Sequence, residues 1–192
     1  MKRITWWPQL WLGLTFNWAV LVAYAAKTGE LSAPLLILYA GLIFWTVGYD
    51  TIYACQDIED DMKIGVKSTA RKFGKHIKRG VAICYTACLL LVGCAIGLEL
   101  AALFQPRPEG ASYIFNESIH QMMWFAGFFS TILVFGYFLY SQVYDLKVDD
   151  SSNALAQFKS NIYAAGALIV LLSFSGYYMT QIIAMMQSKG IL

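Results

Sequence analysis

Residues 45–79 read WTVGYDTIYACQDIEDDMKIGVKSTARKFGKHIKR, and this stretch joins three kinds of chemistry without a break. A strongly apolar segment comes first, a run of carboxylates follows, and a basic stretch ends it. The carboxylates are Asp50, Asp57, Glu59, Asp60 and Asp61, and the cations are Lys63, Lys67, Arg71, Lys72, Lys75, Lys78 and Arg79. Because adjacent carboxylates repel one another, such a run is unfavourable unless cations share it.

On a continuous helix, Asp57 and Asp61 would share one face, and Asp50 and Tyr53 would lie on the turns before them. Asp60 would point about 100° away from Asp61, towards solvent. Mg²⁺ takes oxygen ligands, typically one or two carboxylates plus substrate phosphates and waters. The pattern therefore favours a diphosphate held through metal at the mouth of a membrane helix, with basic residues on the remaining phosphate charge. A solvated loop of mixed charge between two spans is the alternative.

The composition is that of an integral membrane protein. The chain has 192 residues, 58% of them hydrophobic and 14% charged, whereas a soluble domain is about 45–50% apolar and about 25% charged. A net charge of +2 gives no reason to expect nucleic acid as a partner. The four cysteines lie in or beside apolar runs without paired CxxC spacing, which indicates packing thiols and neither zinc nor a disulfide framework.

Five apolar runs predict an all-α, polytopic transmembrane bundle. The expected spans are about 7–26, 31–58, 81–104, 119–144 and 161–187, and the second is expected to continue as helix through the acidic residues. Residues 62–79 are expected to form a polar loop broken by glycines at 65, 74 and 80, and 145–153 a second one. Asn17 lies within the first span, where an interhelical hydrogen bond is expected.

A cleaved signal peptide is a competing interpretation of the first run, since it has a basic start, an apolar centre and Ala23-Tyr24-Ala25. Its length and tryptophans, with Gln9 and Asn17, argue against that. Most lysines and arginines fall on one side of the five spans, which places the acidic–basic loop in the cytoplasm, or in the matrix of a mitochondrion.

Several strings of this sequence resemble one family. They are Tyr49-Asp50-Thr51-Ile52-Tyr53-Ala54, then Asp57-Ile58-Glu59-Asp60-Asp61, then Ile64-Gly65-Val66-Lys67-Ser68-Thr69-Ala70. Together they resemble the second aspartate-rich motif of the UbiA superfamily, in its 4-hydroxybenzoate polyprenyltransferase branch. The N-terminal stretch from Lys2-Arg3 to Pro8-Gln9 and the later Phe158-Lys159 with Asn161 also resemble that branch, so the likeness covers nearly the whole chain.

The resemblance implies an aromatic prenyltransferase of ubiquinone biosynthesis, set in a bacterial inner or mitochondrial inner membrane. Its substrates would be a polyprenyl diphosphate and 4-hydroxybenzoate, and its cofactor Mg²⁺. The allylic carbon would bond to the ring carbon ortho to the hydroxyl as the diphosphate leaves. Metal and basic groups stabilise the charge on the leaving diphosphate, and apolar walls keep water from the cation.

Site residues carry over from the resemblance position by position. Asp57 and Asp61 match the family's DxxxD pair, and they are the expected catalytic residues and contacts of Mg²⁺ with the diphosphate. The expected substrate-binding residues are Asp50, Tyr53, Lys67, Ser68 and Thr69. The last three match the loop that closes over the diphosphate, and Lys67 is the expected phosphate ligand.

The sequence departs from the family in one respect. The first aspartate-rich motif, of the type N-D-x-x-D-x-x-x-D, is not among the 192 residues. Asp145 and Asp149 share its spacing but lack the preceding Asn-Asp, and a solvated loop is expected there. The family has about nine membrane helices and this chain room for five, so we expect the C-terminal part of such an enzyme, inactive alone, with an N-terminal half as partner.

Other functions stay open on the sequence alone. Haem and menaquinone prenyltransferases belong to the same superfamily, and the D-T-x-Y-A and K-S-T-A strings favour the ubiquinone branch over them. A non-catalytic membrane carrier or cation-binding protein is the alternative from another class, because ionisable residues near spans often mark ion pathways. Against it, the carboxylates lie at a helix mouth and not in mid-membrane.

Overall fold

A computed structural model describes residues 1–103, 116–170 and 173. Within these ranges the protein is helical and has no strand, which confirms the predicted all-α class. The helices are α1 (Pro8–Phe16), α2 (Trp18–Thr28), α3 (Ala33–Ala54), α4 (Ile58–Lys63), α5 (Thr69–Phe73), α6 (Ile77–Leu103), α7 (Asn116–Asp145) and α8 (Ser151–Lys159). Short 3₁₀ turns occupy Cys55–Asp57 and Gly74–His76, and residues 161–170 are helical.

Local sequence explains several of these helix ends. Ser32 caps α3 by accepting a hydrogen bond from Leu35 N at 3.3 Å, as short hydroxyl side chains do at helix starts. Gly65 and Gly74 have φ values of +72° and +51°, which side chains other than glycine rarely adopt. These two glycines therefore interrupt the helices where the sequence predicted.

Four helical stretches among the described residues are long and apolar enough to cross a membrane. They are Pro8–Thr28, Ala33–Lys63, Thr69–Ala101 and Phe125–Asp145. Large apolar side chains such as Ile83 and Leu133 are exposed on them, as lipid-facing residues would be. The chain is an integral membrane protein. The predicted fifth span, 161–187, lies largely outside the described residues.

The first membrane segment is not one helix. Asn17 separates α1 from α2, and its side chain donates to Gly13 O at 2.8 Å and to Thr46 Oγ1 on α3 at 2.9 Å. The second bond confirms the interhelical role predicted for this residue. No proline lies at this break. The residue there is Asn17, whose side-chain amide bridges to α3.

The second segment is also interrupted, which corrects the prediction of one helix through the carboxylates. The α-helix ends at Ala54, a 3₁₀ turn covers Cys55–Asp57, and α4 begins at Ile58. Asp57 has φ −108° and ψ 11°, outside the α-helical values. Asp50 is therefore not in α-helical register with Asp57 and Asp61, whereas Asp57 is the N-cap residue of α4, four positions before Asp61.

The two predicted polar loops contain helices. The stretch from 62 to 79 holds α5 and the start of α6, so Gly80 lies inside a helix and is not a breaker. Residues Ser151–Lys159 form α8, capped by Asp150, whose carboxylate accepts from Asn153 N at 3.0 Å. Asp145 and Asp149 are exposed, as predicted.

The chain divides into two compact units, Met1–Gln105 with Leu139–Asn161, and Pro106–Phe138 with Ile162–Leu192. In the first, α3 packs along α6, and the core includes Ile43, Val47 and Cys84. In the second, the hydroxyls of Ser130 and Thr131 donate back to the carbonyl of Gly127, at 2.8 Å each, so these polar groups are satisfied within α7.

One tight contact between α3 and α6 is at Gly48. The Tyr85 ring lies against its backbone and is 0% exposed, and Tyr85 Oη donates to Gln142 Oε1 at 2.6 Å. A Cβ at Gly48 would overlap the ring. Because the ring is buried and its hydroxyl is bonded, it has little room to retreat.

We therefore expect Gly48→Ala to lower the free energy of unfolding in detergent micelles by about 1–3 kcal/mol, the usual cost of overpacking. Gly97→Ala in α6 is the matched control, since nothing lies within 4 Å of its Cβ position. Equal unfolding midpoints for the two variants would contradict the tight α3–α6 contact.

Candidate functional site

The carboxylates lie where α3 gives way to α4. Asp50 is on the last turns of α3, Asp57 is in the 3₁₀ turn, and both are half-buried. Asp61 on α4 is 4% exposed. Glu59 and Asp60 are exposed, and Asp60 pairs with Lys63 at 3.0 Å with both side chains in solvent. The structure thus separates three buried or half-buried carboxylates from two solvent-exposed ones.

Asp61 has a cationic partner from the start of the chain. Lys2 Nζ lies 3.2 Å from Oδ1 and 3.1 Å from Oδ2. A buried carboxylate needs such a partner, because its desolvation otherwise disfavours the folded state strongly. Lys2 also exerts a Coulomb attraction on Asp50. The backbone carbonyl of Asp61 accepts from Val66 N at 3.0 Å and from Arg71 Nη1 at 3.1 Å.

The loop that carries Lys67, Ser68 and Thr69 is clamped by residues 2–9. Lys67 N donates to Lys2 O at 2.7 Å, and Lys67 Nζ donates to Ile4 O at 3.1 Å. Gln9 Oε1 accepts from Thr69 N at 3.2 Å, and Gln9 is 2% exposed. The clamp therefore consists of backbone as well as side-chain contacts.

Ser68 and Thr69 are both 0% exposed. Ser68 Oγ caps α5 by accepting from Arg71 N at 3.3 Å, and the Thr69 hydroxyl lies 2.6 Å from that of Thr51 on α3. The Thr69 side chain therefore attaches the segment to α3, and that of Ser68 fixes the start of α5. Lys67, in contrast, is partly exposed.

Two tryptophans cover the basic stretch. Lys67 Nζ and Arg71 Cζ lie 5.9 and 5.6 Å from the centre of the Trp6 ring, and Lys72 Nζ lies 5.3 Å from that of Trp7. These distances are in the range of cation–π attraction. The cations of the loop therefore have protein partners around them.

An aromatic group joins α3 to α8 beside the acidic turn. The Tyr53 ring is 4.8 Å from that of Phe158, and the Tyr49 ring is 5.9 Å from the same ring. Tyr53 is 41% exposed, so it is both part of this contact and accessible. The hydroxyl of Ser152 and the backbone of Asn153 lower the pKa of Asp150 at the cap of α8, so these hydrogen bonds favour its charged form.

The donor chemistry at the acidic turn fits Mg²⁺ only with a further ligand. Asp50, Asp57 and Asp61 offer oxygen, which hard cations prefer. In the part of the chain that the structure describes, no three Asp, Glu, His or Cys side chains come close enough together to hold a metal ion. One or two carboxylates completed by substrate phosphate and water are the usual Mg²⁺ set, and Asp57 and Asp61 can provide that share.

Comparison with known proteins gives a family. The model of the UbiA prenyltransferase family matches residues 1–106. No solved structure matches the chain.

The chain is similar to several curated proteins of that kind. The mitochondrial 4-hydroxybenzoate polyprenyltransferase of Drosophila melanogaster is 36% identical over 172 residues, 89% of this chain and 38% of that protein. The 4-hydroxybenzoate octaprenyltransferase of Pseudomonas syringae pv. syringae is 46% identical over 110 residues, 54% of this chain and 36% of that protein. The UbiA prenyltransferase claS of Ampulloclitocybe clavipes is 53% identical over 78 residues, 41% of this chain and 25% of that protein. The chain therefore spans less than two fifths of the length of these relatives.

Sequence reasoning missed three residues that build the site. The sequence presents Lys2 and Gln9 as parts of the N-terminal resemblance and Arg71 as one of the cations near the phosphate, and it predicts none of their contacts within the protein. Lys2 and Gln9 meet partners 59 and 60 positions away, so no local pattern reveals the contacts. The one available signal was a lysine and a glutamine flanking two tryptophans just before an apolar run.

We expect Gln9→Ala to leave the Thr69 N–H without its partner and to cost about 1–3 kcal/mol of stability, as buried unpaired donors do. Amide hydrogen exchange measured by mass spectrometry should speed up in the peptide that holds Thr69. Gln56→Ala is the control, because Gln56 is half-exposed and bonds only locally to Tyr53 O at 3.1 Å. Unchanged exchange at Thr69 would contradict the clamp.

Proposed function

Because the chain belongs to the UbiA prenyltransferase family, we propose that it forms part of the active site of an aromatic prenyltransferase of ubiquinone biosynthesis. The enzyme transfers a polyprenyl group from polyprenyl diphosphate to the ring of 4-hydroxybenzoate. The names of the relatives from Drosophila melanogaster and Pseudomonas syringae support this acceptor.

One observation carries the proposal. A buried carboxylate, Asp61, and two half-buried ones, Asp50 and Asp57, lie at the end of a membrane-spanning helix beside a cation-rich loop. A carboxylate is kept buried at such a place at considerable cost. A site that binds a divalent cation and a diphosphate explains why acidic and basic groups are gathered there.

In this proposal Asp57 and Asp61 hold Mg²⁺, which when bound neutralises charge on the leaving diphosphate. Lys67 binds a phosphate oxygen, exchanging its bond to Ile4 O for the substrate. Ser68 and Thr69 stabilise the backbone of the loop on its buried side, since both are buried. Asp50 lies behind the acidic turn and shares the field of Lys2.

The prenyl group needs a water-poor surface next to the diphosphate, because water would quench a cationic allylic carbon. The aromatic group formed by Tyr49, Tyr53 and Phe158 offers such a surface beside the acidic turn. Its ring faces can also attract positive charge. Tyr53 is the member we assign to substrate contact, since it is the accessible one.

The opposite wall of the site comes, in this proposal, from a polypeptide that carries the first acidic motif of the family. That motif is absent from the 192 residues, and the similarly spaced Asp145 and Asp149 are solvent-exposed. A diphosphate with its metal ions carries charge on both sides. The carboxylates of this chain form one side of the site only, so they are insufficient to bind it alone. We expect no turnover by these 192 residues on their own.

We further propose that the acidic–basic loop faces the cytoplasm of a bacterial inner membrane or the matrix of a mitochondrion. The concentration of lysine and arginine in this loop supports the orientation. A haem or menaquinone prenyltransferase would share the acidic site and differ in its acceptor, so the aromatic acceptor used in the assay separates them. A carrier would show cation transport without product.

The test joins this chain in membranes with a polypeptide that carries the first acidic motif, and measures prenylation of 4-hydroxybenzoate with Mg²⁺ and a polyprenyl diphosphate. We expect Asp57→Asn and Asp61→Asn to lower kcat about 10²–10³-fold, the usual loss when one electrostatic stabiliser is removed. Asp60→Asn, at an exposed pair, should stay near the parent rate. Full activity of the Asp57 and Asp61 variants would refute the proposal.

A further inference from the structure

The ion pair between Lys2 and Asp61 involves both carboxylate oxygens. Lys2 Nζ is within hydrogen-bond distance of both oxygens, at 3.2 and 3.1 Å. The Asp61 side chain is 6% exposed, whereas that of Lys2 is 43% exposed. The ammonium thus reaches from a partly solvated position onto an otherwise buried carboxylate, and it is the more accessible member of the pair.

The backbone around Lys2 is held by contacts that do not involve Asp61. Lys2 O accepts from Lys67 N at 2.7 Å, and Ile4 O accepts from Lys67 Nζ at 3.1 Å. Asp61 in turn is fixed through its own carbonyl by Val66 and Arg71. The lysine side chain can therefore leave the carboxylate while both backbones stay where they are.

A divalent cation and an ammonium repel each other, and at contact distances in a poorly solvated site that repulsion is strong. They cannot both occupy the small oxygen edge that Asp61 presents. If the ammonium leaves with nothing in its place, the buried carboxylate is unpaired, which is strongly unfavourable. Departure of the lysine and arrival of another cation should therefore be coupled.

We propose that the Lys2 ammonium is an exchangeable counter-ion of Asp61, which a divalent cation must displace in order to bind. This inference rests on the proposed function, since it takes Asp61 as a ligand of the cation. It adds that Lys2 keeps the loop assembled before the cation arrives. It also adds that Lys2 sets how much cation is needed to fill the site.

The test uses the full 192-residue chain, purified in lipid nanodiscs with a fixed concentration of inorganic pyrophosphate, which supplies the further phosphate ligand that the acidic turn needs. The chain is titrated with Mn²⁺, and the Mn²⁺ it binds is measured by electron paramagnetic resonance against a protein-free pyrophosphate blank. Lys2→Met removes the ammonium and keeps a chain of similar length. We expect Lys2→Met to bind Mn²⁺ about 5- to 150-fold more tightly than the parent, the range typical of coupling between two binding events. In an Asp61→Asn background, the Lys2 substitution should change nothing.

Lys63→Met is the matched control. It removes the same charge beside the same acidic run, but from the exposed pair with Asp60. Tightening in Lys2→Met that is absent in Lys63→Met supports exchange at Asp61. Equal affinities of Lys2→Met and the parent, equal tightening in both lysine variants, or no Mn²⁺ binding at all would overturn the proposal.

A second measurement on the parent chain covers the case in which Lys2→Met fails to fold. Reductive ¹³C-methylation labels Lys2 together with the other amines of the chain, and the Lys2 resonance is assigned by its loss in Lys2→Arg. Addition of Mg²⁺ should shift the Lys2 resonance in the parent and leave it unmoved in Asp61→Asn. A Lys2 resonance insensitive to Mg²⁺ in the parent overturns the exchange. If Asp61→Asn abolishes prenylation while Lys2 never responds, the exchange alone fails; full activity of Asp61→Asn would instead remove the proposed function.

Discussion

A carboxylate buried at the end of a membrane helix constrains everything around it. Asp61 is 4% exposed, and leaving it charged and unpaired there would disfavour folding strongly. The fold meets this need with Lys2, which lies just before the first membrane segment. The pairing brings residues 1–9 across the loop that follows α4, and the loop gains its partners from that segment: Lys2 O and Ile4 O for Lys67, and Gln9 Oε1 for Thr69.

The same loop is also attached to the bundle itself. Thr51 Oγ1 donates to Val47 O within α3 and lies 2.6 Å from the Thr69 hydroxyl. One helical turn earlier in α3, Gly48 allows the Tyr85 ring of α6 to lie against the backbone. Packing in the apolar part of α3 and the position of the loop are therefore linked through a single helix. Charged groups are placed with precision when they are carried by a well-packed helix, as they are on α3.

The sequence predicted features that depend on neighbours in the chain. Gly65 and Gly74 interrupt the helices as predicted, because backbone with positive φ favours glycine. Asn17 forms a hydrogen bond to α3, because a polar amide in a membrane is stabilised by a hydrogen-bonding partner. The end of α3 at Ala54 was not predictable, since no proline or glycine marks it. The polar composition of residues 151–159 predicts no helix, although Asp150 followed by Ser151 and Ser152 is a helix-capping pattern, and Asp150 caps α8.

The charges of the site show the deeper limit of sequence reasoning. A run of cations after a run of carboxylates suggests a surface free to bind phosphate, yet two cations of this run already have partners: Lys67 has Ile4 O, and Arg71 has the carbonyl of Asp61. Lys2, from the start of the chain, has the Asp61 carboxylate. Because a hydrogen bond formed to a ligand replaces one already made, only the difference between the two contributes to binding. A site assembled in this way holds its shape before substrate arrives, and it favours a ligand that brings enough charge to replace several internal bonds at once. A diphosphate accompanied by a divalent cation satisfies that condition, because it offers anionic oxygens to the released lysine and a cation to the released carboxylate, whereas a single phosphate or a lone metal ion satisfies only one side of the exchange.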